Sequence, residues 1–173
     1  MRSPRELELE MQLRTIEAEA RLLTSRWETI ERKNAALTSL YVAVHQLHAT
    51  LDRAAVVDAL REIIVGLIGS ETFAVFERDD DTFRAIASCG VDDAEVSLLG
   101  RRFASEDDDA DVPVAAAIPF VLNGRVIGGI VIVSLLAQKS GFDAVDFELF
   151  DLLRTHAAIA LYCSGALAAE VAA

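Results

Sequence analysis

The stretch PFVLNGRVIGGIVIV, Pro119 to Val133, reads as two β-strands joined by one tight turn. Asn123-Gly124 supplies the two positive-φ residues of a type I′ turn, and both flanks carry β-branched and aromatic residues. A hairpin ending in IVIV belongs to a sheet core. Upstream, Phe73 to Arg78 and Phe83 to Ser88 flank the polar turn Asp79-Asp80-Asp81 and make a first hairpin. A short helix, Asp92 to Leu99 with Gly100 as its stop, and an acidic loop separate the two hairpins.

Helices bracket this strand region. Asp52 is an N-cap for a helix over Arg53 to Ile68, with Leu51 and Val56 placed as a hydrophobic staple and Gly69 ending it. A long final helix starts at Phe142-Asp143, with Asp143 as N-cap and Phe142 and Phe147 as its staple. It continues through Leu149, Leu152, Leu153, Ala157 and Leu161. The order helix, hairpin, short helix, hairpin, helix predicts an α+β fold, an antiparallel sheet with helices packed on one face.

The first 50 residues follow another rule. Leu9, Leu13, Ile16, Ala20, Leu23, Trp27, Ile30, Asn34, Leu37, Tyr41 and Val44 are spaced alternately four and three apart, with no Gly or Pro after Pro4. That is a heptad seam. Leu9, Ile16, Leu23, Ile30, Leu37 and Val44 take the d positions; Leu13, Ala20, Trp27, Asn34 and Tyr41 take a. So narrow a stripe suits a partner helix better than a globular core. Asn34 at a can satisfy its amide against its twin in a parallel two-stranded coil, which fixes register and strand number. Arg26 at g and Glu31 at the next e can pair across such a dimer. The isoleucines at d pull toward higher oligomers. A parallel homodimer is expected.

The charge is unevenly placed. Residues 1–50 carry seven basic and seven acidic residues, whereas 51–173 carry nine basic against 21 acidic. Such an acidic part offers no footprint for nucleic-acid phosphates or anionic membranes. The charged start MRSPRELELE is no secretory signal, and the longest uncharged apolar run, Val126 to Ala137, is 12 residues. A cytoplasmic protein without membrane insertion is expected.

Three segments resemble the GAF domain, the small-molecule-sensing relative of the PAS domain. FRAIASCGVDD is similar to the family's second strand and following turn, VPVAAAIPFVLNGRVIGGIVIV to its fourth and fifth strands, and FDAVDFELFDLLRTHAAIALYCSGAL to its last helix. Phe142, Asp146, Leu149, Ala157, Ala158, Ala160 and Leu161 fall on the positions of that family's typical helix motif, and His156 stands where a Gln is common. The likeness covers roughly Ala35 to Leu167. It implies a coiled-coil dimerisation helix over 1–50 and a GAF-like antiparallel sheet flanked by helices over 51–173. In GAF dimers the first and last helices commonly pack together, which adds Ala157 and Ala160 to the expected interface. The connection from Gly90 to Pro113 is shorter than in ligand-binding members, where it supplies a lid helix and a third strand. The N-K-F-D-E residues of cyclic-nucleotide binders and the D-I-P motif of bilin binders have no counterpart. The resemblance therefore carries over the fold more firmly than any ligand, and no sizeable pocket is expected.

Few residues invite chemistry. Cys89 in ASCG has no basic neighbour in sequence to lower its pKa and reads as a structural thiol. His45 and His48, three apart on a helix, lack a third ligand of matching type and read as interface residues; His156 reads as packed. The run EDDDAD, Glu106 to Asp111, lacks the alternating order of a calcium loop and reads as solvated, with Asp107, Asp108 and Asp109 as a patch for a basic partner. No nucleophile-base-orienter set or phosphate loop is present, so neither catalysis nor cofactor nor metal is expected. The function expected is a dimeric adaptor that regulates another, unidentified signalling protein by contact. The alternative is a small-molecule sensor that signals to a separate output partner.

Overall fold

A computed structural model describes residues 4–105 and 113–172. The elements run α1 (Pro4–His48), α2 (Arg53–Ile63) continued by a wider π turn (Ile64–Ile68), β1 (Thr72–Asp79) and β2 (Thr82–Cys89). Then come α3 (Asp93–Ser105), β3 (Ala116–Leu122), β4 (Arg125–Ser134) and α4 (Ala144–Ala172). Two compact units result, Met1–Ser39 and Leu40–Ala173, so the last turns of α1 belong to the second.

The second unit is built on an antiparallel sheet of order β2-β1-β4-β3. The opening hairpin is β3–β4, with Leu122 opposite Arg125 and both turn residues left-handed, Asn123 at φ 51° and Gly124 at φ 75°. The β1–β2 hairpin closes on two residues rather than three. Asp79 pairs with Thr82, and Asp80 takes φ 53°, a conformation that Asp tolerates better than most side chains.

Alternation along the strands sorts side chains to two faces. Phe73, Val75, Ile118, Phe120, Ile130 and Ile132 meet a helical layer made by Leu40, Ala43 and Leu47 of α1, by α2, and by Leu149, Leu153, Ala157 and Leu161 of α4. Burying each large side chain here contributes roughly 1.5–3 kcal/mol. Ala74, Phe76 and Val131 point the other way, onto Leu99 of α3. Helices therefore cover both faces, not one. The difference comes from α3, which runs through Gly100 to Ser105 instead of stopping. A Cβ at Gly100 would stand 3.2 Å from the Phe76 ring and 3.4 Å from the Phe83 carbonyl oxygen. The glycine lets the helix lie against the sheet; it does not end it.

The caps follow the sequence closely. Asp52 accepts from the backbone N–H groups of Ala54 and Ala55. Leu51 itself remains exposed while Val56 enters the core, and Gly69 at φ 76° closes the π turn. Asp92 and Glu95 form a reciprocal capping box at α3. At α4, Asp143 accepts from Val145 and Asp146, and the Phe142 and Phe147 rings meet at 6.3 Å.

One ion pair ties these ends together. Asp146, 3% exposed, accepts from the Asp143 N–H at 2.8 Å and from Lys139 Nζ at 2.6 Å. The same ammonium donates to Ile68 O at 2.6 Å, where the π turn ends, so it meets the negative end of a helix as well. Removing one partner of such a pair strands the other's charge. Asp146→Ala is expected to cost about 3 kcal/mol, read as a lower urea midpoint. A loss under about 1 kcal/mol would mean the pair behaves as a surface bridge.

Candidate functional site

The heptad seam lies bare on the single chain. Leu9, Leu13, Ile16, Leu23, Trp27, Ile30 and Leu37 are each more than half exposed, Ala20 and Asn34 are exposed, and Tyr41 is 70% exposed. The last turns of α1 show why a core does not consume the seam. Leu40, Ala43 and Leu47 turn into the core, while Tyr41, Val44 and His48 lie about 90° around the helix, at 100° per residue. Tyr41 and His48 on that second face are exposed and Val44 is half-buried. Two stripes of different register thus share one helix.

Ala157 and Ala160 are not on such a surface. Both are buried in the subunit's own core, at 0% and 5% exposure, because their small side chains let α4 settle on the sheet. The expected interface position does not hold for them, since the subunit's own core covers both. The exposed large apolar residues of α4 are Val145 and Phe147 in its first turn and Tyr162 and Leu167 near its end, the last two beside the exposed thiol of Cys163. Asp107, Asp108 and Asp109 lie outside the described residues.

The α3 face of the sheet is filled by aromatic rings. Phe103 stacks on Phe76 with centroids 6.1 Å apart and meets Phe83 edge-on at 4.9 Å. Its ring rests on the backbone of β4, where a Cβ at Gly129 would stand 2.2 Å from Phe103 Cζ. Beside this cluster an open groove of about 650 Å³ runs between β2 and α3, with Asp81, Thr82, Arg84, Asp93, Ser97 and Arg101 along it. Cys89 is half-buried and packs against the helical-layer core.

The histidines regroup. His48 is not partnered by His45, whose ring instead lies 6.3 Å from that of Tyr41. His48 Nε2 stands 3.0 Å from Nδ1 of His156, a residue 108 positions away on α4. Burial, and then the neighbouring His48, holds His156 below the ordinary 6.5. Sequence reasoning missed this pair. The available signal was that the heptad register, carried one step beyond Val44, places His48 at the next a position.

No protein-family model and no curated protein matches this sequence. Solved structures do match the fold. The GAF domain from an Acinetobacter phosphoenolpyruvate-protein phosphotransferase superposes with a TM-score of 0.60 at 14% identity, covering 78% of this chain and 97% of that one. A GAF domain/HD domain protein from Geobacter sulfurreducens superposes at 0.50 with 18% identity, covering 70% and 97%. These likenesses show a GAF-like fold. Among the described residues no helix is long and apolar enough to cross a membrane.

Two outcomes follow from this geometry. Phe103→Ala should cost about 2–3 kcal/mol, because a half-buried ring that touches Phe76 and Phe83 leaves a hollow; an unchanged denaturation midpoint would show that the ring does not fill the face. For His156 the folded chain disfavours the charged ring, so the unfolded chain takes up the proton first as pH falls. The stability linked to that neutral ring is whole above about pH 6.5 and is lost as pH falls below it. Melting of the wild type relative to His156→Gln should therefore decline between pH 7 and pH 5, and a constant difference would contradict the assignment.

Proposed function

We propose that this chain is a non-catalytic regulatory module, a GAF-like domain that forms a parallel homodimer through α1 and acts on another signalling protein by contact. The observation that carries the reading is the exposed seam from Leu9 to Tyr41, with Asn34 inside it. A row of apolar side chains at heptad spacing costs free energy in water and is stabilised by a second helix of the same spacing. The packing of Phe76, Phe83 and Phe103 across the α3 face supports contact with a protein over enclosure of a ligand. The relative from a phosphotransferase is a domain of an enzyme of phosphoryl transfer, which agrees with a regulatory setting by analogy of fold.

The sensor reading draws on a different feature, the open groove between β2 and α3 with its mixed charges at Arg84, Arg101 and Asp93. Native mass spectrometry separates the two. A dimer without added mass fits the contact module, and a small molecule retained at one per chain fits the sensor.

Light scattering on the full chain is expected to give twice the chain mass, and a chain beginning at Asn34 should lose most of that association. Asn34→Leu should raise the melting midpoint while broadening oligomer size, because the polar layer works chiefly against alternative pairings. A full-length monomer would end this reading.

A further inference from the structure

α1 ends at His48, and the spacing Leu37, Tyr41, Val44 makes His48 the next a residue of the seam. Residues at a face their own counterparts across a parallel dimer. His48 is exposed on that side, and its Nε2 already lies 3.0 Å from Nδ1 of half-buried His156, the two rings edge to face with centroids 5.3 Å apart. Two nitrogens on one tetrahedral zinc ion, each at about 2.0–2.1 Å from the metal, stand roughly 3.3 Å apart. One chain thus places two imidazole nitrogens near chelating separation. It places no more: among the described residues no three His, Cys, Asp or Glu side chains gather. Two nitrogens make half of a tetrahedral ligand set.

We propose that the homodimer assembles a four-histidine site from His48 and His156 of each chain, which takes one divalent transition-metal ion of the zinc class at the last a layer of the coil. The inference rests on the dimer reading above. All-imidazole ligation suits zinc, copper or nickel and not calcium or magnesium, which require oxygen ligands. His45 is excluded from the set, since its ring lies against Tyr41. The ion would fasten α1 to α4 in each subunit and one subunit to the other, so its occupancy would set how firmly the coil is held to the domain's final helix.

The test uses the full chain, stripped with a chelator and titrated with Zn²⁺ alone. Native mass spectrometry should show one zinc ion per two chains, and the melting midpoint should rise by about 5 °C at saturating zinc. His48→Gln and His156→Gln should each abolish the bound ion while the chain stays dimeric, and His45→Gln should retain it. A dimer that takes up no zinc overturns the site and leaves the dimer standing. One ion per chain, or loss of zinc in His45→Gln, overturns the ligand set. A monomer by light scattering overturns the dimer and the site together.

Discussion

The contact between Phe103 and the backbone of Gly129 sets how closely α3 lies on the sheet. β4 is a central strand, and a side chain at Gly129 would collide with the Phe103 ring. Its absence lets α3 come down until Phe103 touches Phe76 and Phe83. Gly100 permits the same approach from the helix side. Close packing of this kind fills this part of the α3 face, because protein interiors tolerate few voids larger than a water molecule. What remains beside it is an open groove, a weaker place to hold a small molecule than an enclosed one.

The opposite face of the sheet carries the helical layer. Lys139 and Asp146 hold that layer in register. One ammonium joins the end of the π turn, through Ile68 O, to the N-terminal cap of α4, through Asp146. Both helices then present fixed faces to the last turns of α1, where Leu40, Ala43 and Leu47 enter the core. The other side of those turns carries Tyr41, Val44 and His48. The last turns of α1 thus give one stripe to the core and leave a second stripe outside it.

Much of this was legible from short-range pattern. The seam from Leu9 to Val44, the Asn123-Gly124 turn, the caps at Asp52 and Asp143 and the Phe142–Phe147 contact all depend on residues within a few positions of one another. Their physics is local, so their spacing predicts them. Asp146 was visible as a motif position, but its reason was not, because Lys139 and the Ile68 carbonyl reach it only after folding. Gly100 shows the limit from the other direction. As local chemistry it reads as a helix stop, and only the nearness of Phe76 and Phe83 turns it into a contact point inside a helix.

By itself, then, the amino-acid sequence determined the elements, their order, the α+β class and the apolar heptad stripe of the first helix. Tertiary structure decided which surfaces remained. It placed Ala157 and Ala160 inside the core, set α3 on the second face of the sheet, and brought His48 to His156 across 108 residues. The reason is the range of the forces involved. Periodicity and capping act between near neighbours along the chain, whereas burial and side-chain pairing depend on which distant segments the closed sheet brings within a few ångströms.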